Sequence, residues 1–434
     1  MQLPPSFLSR MQAQLGGAFP QYIAAMEKAP PRALRLNTLK LSIDEFLALS
    51  PWPLTPSAFV EESFLIGGPA EHIGKHPYHM AGLFYMQEPS ATRPVALLAP
   101  APHMRVLDLC AAPGGKSTQI AARLKGEGLL VANEPVPSRA NILCSNLERM
   151  GATNAITACM KPEALAVHFP SYFDAILVDA PCSGEGMFRK EPQAVLEWSP
   201  AHVLACAKRQ AQILDCAAGM LKEGGRLVYS TCTFSTEENE LTVRAFLKQH
   251  PGFQLISEER HYPHTGTGEG QYAALLEKTG DPLPPVPANK KPPAHPARKT
   301  TAAIAAYQAF SQEFLAMPPK GRPHELADGR VMLLPDALDF SLAPLHLKSA
   351  GVFAGEYKKG RFIPSHGLGH TPARYSQSIA LEEGRLTAYL HGETIPVQKE
   401  YRGYTAVLYG GFYIGLGRAV NGTLKNLLPK GLRQ

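Results

Sequence analysis

Residues 105–117 read Arg-Val-Leu-Asp-Leu-Cys-Ala-Ala-Pro-Gly-Gly-Lys-Ser. An apolar run ends at Asp108, a turn of small residues follows, and a helical pattern begins at Ser117. Such a turn between a strand and a helix lets the backbone approach a bound ligand and point its amides at it. Because position 110 is Cys, the turn lacks the spacing of a phosphate-binding P-loop, and the G-x-G-x-x-G dinucleotide pattern is absent too. The turn therefore predicts a ligand site of another kind.

The alternation of strand and helix continues along the chain from 104 to 250. Further strand-like runs lie at 128–133, 155–159, 173–179 and 225–231, and helical patterns lie at 138–150, 200–221 and 236–249. Strands and helices that alternate with short turns favour a doubly wound α/β fold with a mostly parallel sheet. Ligands of such sheets bind at the carboxyl ends of the strands.

An acidic residue, Glu134, follows the second of these strands. A carboxylate at this position can hold both ribose hydroxyls of a nucleoside, although it can also simply stabilise the helix N-terminus behind it. Together with the first turn, Glu134 indicates a nucleoside-containing cofactor whose attached group is not a pyrophosphate. S-adenosylmethionine fits this description.

Seven cysteines are scattered along the chain, and two of them follow predicted strands. Cys182 comes after the run 173–179 and Cys232 after the run 225–231, so both are expected at the ligand crevice. The remaining cysteines are predicted to be small packing residues: Cys110, Cys144, Cys159, Cys206 and Cys216. The odd, scattered set predicts neither a disulfide framework nor a metal site and favours a reducing, cytoplasmic environment.

The net charge of +6 comes from 43 basic and 37 acidic residues, and it is unevenly distributed. Residues 351–434 hold eleven Lys or Arg and five Asp or Glu, so this segment alone carries the excess of six. A local excess of this size can arise by chance, but it also suits a module that faces a polyanion.

Composition divides the chain into five segments. We predict an N-terminal domain at 1–100, a catalytic domain at 101–279, a proline-rich linker at 280–300, an intermediate region at 301–375 and a β-rich module at 376–434. No apolar run approaches the length of a transmembrane helix, and the first residues lack the pattern of a signal peptide, so no membrane association is expected.

Several quoted motifs together resemble one enzyme family. They are Asp179-Ala-Pro-Cys-Ser183, Ser230-Thr-Cys-Thr233, Asn133-Glu-Pro135, Gly184–Pro192, Arg35–Lys40 and Gly82–Ala91. The chain resembles the NOL/NOP/Sun family of S-adenosylmethionine-dependent RNA cytosine-5 methyltransferases. Its length and its end, Thr423–Arg433, are similar to the bacterial RsmF-type branch, which acts on 16S ribosomal RNA. The resemblance implies a Rossmann-like methyltransferase domain, a small N-terminal α+β domain and a C-terminal PUA-like RNA-binding module.

The resemblance also implies roles for individual residues. Cys232 would be the nucleophile, Cys182 would assist product release, and Asp179 and Lys116 would act beside the target base. The cofactor would contact Cys110, Ala111, Ala112, Pro113, Gly114, Gly115, Lys116, Glu134, Arg139 and Asp179. RNA would contact Arg189, Lys190, Lys425, Lys430 and Arg433. Where the family usually has an Asp near the adenine, this chain has Met160, and Glu163 is the nearest candidate to replace it.

The substrate implied by the resemblance is 16S ribosomal RNA or the small ribosomal subunit, modified by a monomeric enzyme. Transfer RNA is an alternative substrate. A ribosome-assembly factor that binds RNA with weak catalysis is a second alternative. A small-molecule methyltransferase is a third, but it would leave the two strand-end thiols and the basic tail without a role.

Overall fold

The computed structural model describes residues 3–68, 72–266, 268–280 and 301–434. The linker predicted at 280–300 lies outside the described residues except for Gly280. No helix in the described ranges is long and apolar enough to cross a membrane.

The N-terminal part is a small antiparallel sheet with short helices. The helices are α1 Pro5–Leu15, α2 Phe19–Met26, α3 Ile43–Leu49 and α4 Pro77–Met80, and the strands are β1 Ala33–Leu36, β2 Leu54–Pro56, β3 Ser63–Ile66 and β4 Phe84–Met86. The strand order is β2-β3-β1-β4, and every pairing is antiparallel. Buried Arg35 on β1 donates to the Gly115 carbonyl (2.6 Å) and to Thr118 (2.7 Å), which ties this sheet to the ligand turn.

The catalytic part contains a large mixed sheet flanked by helices. Its helices are α5 Arg93–Leu98, α6 Gly115–Leu124, α7 Pro137–Arg149, α8 Pro162–Ala166, α9 Pro192–Glu197, α10 Pro200–Met220 and α11 Glu240–Gln249. Its strands are β5 Arg105–Asp108, β6 Leu129–Asn133, β7 Ala155–Ala158, β8 Phe173–Asp179, β9 Leu221–Thr231, β10 Phe253–His261 and β11 Gln271–Lys278. Strands β9, β8, β5, β6 and β7 are parallel neighbours in that order.

Helices cover both faces of this sheet, as the predicted doubly wound fold requires. On one face, Ile120 of α6 and Leu143 of α7 pack into a buried apolar cluster. On the other, Leu214 of α10 and Phe246 of α11 pack into a second cluster. The nearly continuous apolar runs of β5 and β8 follow from this burial on two sides. The Rossmann-like fold class is confirmed.

Three strands that flank the parallel block pair antiparallel with their neighbours. β11 pairs with β9, β10 pairs with β11, and Leu347–Ala350 pairs with β7 at the opposite edge. This last strand comes from the region that we predicted to be intermediate between two domains. Helix α11 begins at Glu240 rather than 236, because Asn239 binds Thr231 and the Thr233 carbonyl and holds the preceding segment as a loop.

The C-terminal part is rich in β-structure. Its helices are α12 Ala302–Phe314 and α13 Glu383–Leu390. Its strands are β12 Leu315–Met317, β13 Arg322–Glu325, β14 Arg330–Leu334, β15 Leu347–Ala350, β16 Val352–Lys358, β17 Arg361–Pro364, β18 Arg374–Tyr375, β19 Ser378–Ala380, β20 Ile395–Pro396, β21 Gly403–Tyr409, β22 Phe412–Val420 and β23 Thr423–Asn426. The last five strands form one sheet in the order β19-β21-β22-β23-β20.

The two ends of the chain share one apolar core. Phe84 and Leu36 of the N-terminal sheet belong to the same buried cluster as Ile379 and Ile414 of the C-terminal sheet and Tyr389 of α13. Since burial of apolar surface stabilises both partners, the last sheet is built into the molecule rather than attached to it by a linker alone.

Candidate active site

A cavity of about 700 Å³ opens at the carboxyl ends of the parallel strands. Its walls contain Cys110 and Ala112 of the ligand turn, Glu134 after β6, Asp179 at the end of β8, and the strand-end thiols. The structure therefore brings one predicted set together: Cys110, Ala112, Glu134, Arg139, Asp179, Cys182 and Cys232. Because the carboxyl ends of parallel strands meet at one edge, this convergence follows from the topology.

The two strand-end thiols lie side by side. The Sγ atoms of Cys182 and Cys232 are 3.3 Å apart, and both side chains are half-buried. The hydrogen bond with Cys232, followed by burial, raises the pKa of Cys182 well above its usual value. Cys182 therefore keeps its proton at neutral pH and can donate it to the Cys232 sulfur. All seven cysteines are free thiols.

Lys116 and Asp179 form an ion pair beside these thiols. Lys116 Nζ lies 2.8 Å from Asp179 Oδ2, and the other carboxylate oxygen accepts from Ser230 Oγ at 2.7 Å. Burial alone would lower the pKa of Lys116, but the charge and hydrogen bond of Asp179, with a smaller effect of Cys232, raise it. The ammonium of Lys116 is thus held within electrostatic reach of the Cys232 sulfur.

The ligand turn is shaped by glycine and by contacts from α7. Gly114 precedes α6 with a φ of 111°, a conformation that side chains disfavour, and a Cβ there would lie 3.1 Å from Leu143. Arg139 donates to the Ala112 carbonyl at 3.0 Å and Asn146 donates to the Pro113 carbonyl at 2.8 Å. These contacts occupy carbonyls of the turn and fix its path along the cavity.

The residues around Glu134 fit a ribose better than a phosphate. One oxygen of this buried carboxylate accepts from the Val136 amide at 3.0 Å, and the other lies 3.4 Å from half-exposed Arg139. A carboxylate accepts from hydroxyl groups and repels phosphate. The Glu134 carboxylate, as a hydrogen-bond acceptor, therefore suits a nucleoside whose attached group is not a pyrophosphate, as the sequence predicts.

Met160 occupies the position of the usual adenine-contacting Asp. Its side chain packs into the core beside α8, and its backbone forms two hydrogen bonds with the Asn133 side chain. The cavity wall at this point is formed instead by Lys161, Pro162 and exposed Glu163. Glu163 therefore remains the residue predicted to contact the adenine.

Buried carboxylates lock the two cysteine loops together. Glu238, after the Cys232 strand, accepts from the Ser183 amide at 2.9 Å, from the Ser183 hydroxyl, and from Gln210 at 2.9 Å. Gln210 also donates to the Pro181 carbonyl at 3.0 Å. The residues on both sides of Cys182 are thus tied to one carboxylate on the other loop. The sequence offered no specific signal for Glu238, because its partners lie far along the chain.

Glu185 provides a second link between the loops. It accepts from the Phe234 amide at 2.8 Å and from Trp198 at 2.8 Å, and it pairs with Arg10 of α1. Nearby, the Gly186 amide donates to the Cys232 carbonyl at 2.7 Å, and a Cβ at Gly186 would lie equally close to that oxygen. Only glycine permits this approach, and it sets the distance between the loops.

We expect Glu238→Gln to lower the kcat of the reaction in this cavity about tenfold or more while leaving the KM for its substrate within about threefold. The amide would place a donor opposite the Ser183 or Gln210 donors and loosen the Cys182 loop. Glu62→Gln is the matched control, since Glu62 of the N-terminal part is also a buried carboxylate but pairs with Arg123 of α6. Steady-state kinetics and melting curves of both variants test the role. If Glu238→Gln and Glu62→Gln show equal decreases in melting temperature and in kcat, Glu238 contributes to folding and does not position the Cys182 loop for the reaction.

One residue predicted to contact RNA, Arg189, is buried in the structure. The Arg189 side chain is only 6% exposed, because it donates to Glu269 at 2.9 Å and to the Ala25 carbonyl at 2.9 Å. This arginine joins the Cys182 loop to α2, and its contact with RNA stays a prediction. Lys190 stays accessible, with its ammonium 3.9 Å from Glu269. Two exposed cations that the sequence analysis missed, Lys161 and Arg209, line the catalytic cavity.

The basic residues predicted in the tail lie far from the cysteines along the chain and outside the catalytic cavity. Lys425 on β23 sits opposite Arg418 on β22, and Lys430 and Arg433 are exposed in the last turn. Within the described ranges, Lys425 and Lys430 form no ion pair with a carboxylate. Phe412 and Tyr413 pack against the cores, as expected for members of a small β-structure.

Four family models match successive parts of the chain. They are the N-terminal domain of 16S rRNA methyltransferase RsmF at 3–89, the 16S rRNA methyltransferase RsmB/F at 95–282, the RsmF rRNA methyltransferase first C-terminal domain at 309–371 and the methyltransferase RsmF PUA domain at 376–434. The ribosomal RNA small subunit methyltransferase F of Klebsiella pneumoniae is 34% identical, across 99% of this chain and 96% of that protein. The chain belongs to the RsmF family of methyltransferases. The resemblance inferred from the motifs is confirmed.

Other members and solved structures agree with this RsmF assignment. The small subunit methyltransferase F of Vibrio vulnificus is 33% identical across 99% of this chain and 97% of that protein. A crystal structure of a methyltransferase homologue from Pyrococcus horikoshii aligns with a TM-score of 0.55 and 27% identity, covering 64% of this chain and all of that one. NSun6 from the same organism aligns with a TM-score of 0.58 at 21% identity and supports the fold.

Proposed function

We propose that this RsmF-family enzyme transfers a methyl group from S-adenosylmethionine to C5 of a cytosine in 16S ribosomal RNA. The observation that carries the proposal is the pair of thiols 3.3 Å apart in the cavity that also contains Glu134. The names of the relatives supply the RNA class, and the paired thiols supply the chemistry. The basic tail and the PUA domain match support an RNA partner.

The chemistry needs a nucleophile because C5 of cytosine reacts poorly with a methyl donor. Addition of the Cys232 thiolate to C6 forms an S–C6 bond and makes C5 electron-rich. C5 then takes the methyl group, and the electron pair of the broken bond stays on the sulfur of the donor. A base removes the C5 proton, the C5–C6 double bond forms again, and the C6–S bond breaks to return the thiolate.

The neighbouring groups suit these steps. Lys116 holds a positive charge within electrostatic reach of the Cys232 sulfur and can donate to the polar edge of the base. Asp179 can accept from the exocyclic amine of cytosine, while the O4 of uracil would be repelled. Cys182 holds its proton beside Cys232, where it can assist release of the product.

S-adenosylmethionine supplies an electrophilic methyl group on a sulfonium. We assign the ribose of the cofactor to Glu134. Residues 110–116 and Arg139 would also contact the cofactor, and Glu163 would contact its adenine. Asp179 and Cys232 line the same cavity and would face the methyl group of a bound cofactor. Two reduced thiols are consistent with a protein of the cytoplasm, and we propose that the enzyme acts there as a monomer.

Bisulfite mapping of cytosine methylation tests the proposal. Purified enzyme with S-adenosylmethionine is incubated with unmodified 16S transcripts, with assembled small subunits and with transfer RNA, and Cys232→Ala serves as the inactive control. We expect new 5-methylcytosine in 16S RNA, free or assembled, from the active protein only. Methylation confined to transfer RNA would replace the proposed substrate, and methylation in none of the three would refute the enzyme assignment.

A further inference from the structure

A second large cavity lies where the N-terminal, catalytic and C-terminal parts meet. This junction cleft, of about 620 Å³, is lined by Lys40 of the N-terminal part, Lys125 and Asn154 of the catalytic part, and Arg374 and Phe412 of the C-terminal part. Lys125 and Asn154 precede strands β6 and β7 and so lie at the amino ends of the parallel strands. The catalytic residues follow the carboxyl ends of these strands. The cleft and the two thiols are thus at opposite ends of the parallel strands.

The charges that line the junction cleft have one sign. Lys40, Lys125 and Arg374 face it, and no Asp or Glu is found among the described residues of its wall. Lys125 and Arg374 are exposed and form no ion pair within the described ranges. Lys40 Nζ has only carbonyl partners, among them Arg149 O at 3.0 Å, and burial lowers its pKa to about 7. The two exposed cations, Lys125 and Arg374, with no carboxylate among the described residues of the wall, favour an anionic ligand.

The rest of the wall suits a ligand with planar groups. Phe412 is partly exposed, and Tyr375 stacks on Tyr413 with an angle of 6° between the rings. Thr153 and Ser378 add hydroxyl groups. Cations for phosphates together with aromatic edges and hydroxyls form the combination that binds single-stranded or looped RNA.

We propose that the junction cleft binds the phosphate backbone and exposed bases of the substrate RNA, at a place separate from the target cytosine. The inference rests on the proposed RNA methyltransferase function and adds a second contact for the same substrate. Strand β6 alone has five residues, so the two sites are separated by roughly 17 Å or more along the sheet. A large folded RNA can contact both, while a short oligonucleotide around the target cannot.

Salt-dependent binding tests the junction cleft directly. The variant Lys125→Gln/Arg374→Gln is compared with the matched control Arg244→Gln/Lys248→Gln, which removes one Arg and one Lys from the exposed surface of α11. The probe is an unmodified 16S transcript, and its Kd is measured by filter binding between 50 and 300 mM KCl. Each lost phosphate contact lowers the slope of log Kd against log salt by about 0.7 to 0.9.

We expect the cleft variant to lose about 1.4 to 1.8 from this slope and to bind the transcript several-fold more weakly at 150 mM KCl. The α11 control should change the slope by less than about 0.5. An unchanged slope in the cleft variant, or an equal loss in the control, would overturn the proposal. Because binding is measured without methyl transfer, this result is independent of the bisulfite experiment.

Discussion

The Cys182→Ala protein is expected to accumulate a covalent complex with its substrate RNA, and the Cys232→Ala protein to form none. The two Sγ atoms are 3.3 Å apart, yet their surroundings differ. Cys182 keeps its proton, since the hydrogen bond with Cys232 and burial raise its pKa. Cys232 can accept a hydrogen bond from Cys182 and has the ammonium of Lys116 nearby. Removal of Cys182 leaves the nucleophile in place and slows only the step that breaks the C6–S bond.

The adduct is measured on denaturing gels after incubation with labelled 16S transcript and S-adenosylmethionine. We expect the Cys182→Ala adduct to survive denaturation and disappear after ribonuclease treatment. In both single variants, turnover should fall by a factor of 10³ or more. Cys216→Ala, which changes a cysteine of α10 outside the cavity, is the control and should keep full turnover. A persistent adduct in Cys232→Ala would reverse the two roles.

Much of the catalytic part could be predicted because its signals are local. The small-residue turn after β5 and the residues that end β6, β8 and β9 are visible in the sequence. Parallel strands place such residues at one edge, so the meeting of Asp179, Cys182 and Cys232 follows from the alternation alone. Their chemical roles stay predictions until the variants are measured.

The parts that could not be predicted depend on pairings between distant segments. Strand β15 is short and partly polar, and only its antiparallel pairing with β7 makes it part of the catalytic sheet. Arg189 is of a residue type that often contacts phosphates, but hydrogen bonds to Glu269 and the Ala25 carbonyl hold its side chain in the interior. The sequence shows the residue type, whereas the availability of its charge depends on partners that only the fold brings near.

Such partners also determine what the Lys116–Asp179 pair does. Asp179 accepts from Lys116, Ser230 and, at 3.4 Å, Gln271, so one carboxylate organises three side chains beside the thiols. We expect Asp179→Asn to lower kcat/KM for methylation by a factor of 10² or more, equal to about 2.7 kcal/mol of transition-state stabilisation. The amide can no longer hold the ammonium of Lys116 with a full charge or accept from the cytosine amine with both oxygens.

The control for Asp179→Asn lies on the same strand. Asp174, at the other end of β8, pairs with Lys222 and is 30% exposed, compared with 31% for Asp179. Both substitutions remove the negative charge of a similarly exposed Asp that pairs with a Lys, so similar decreases in melting temperature are expected. Only Asp179→Asn should lose activity, and it should lose discrimination against a uracil placed at the target position. Equal activities of the two variants would mean that the Lys116–Asp179 pair contributes to folding rather than to the reaction.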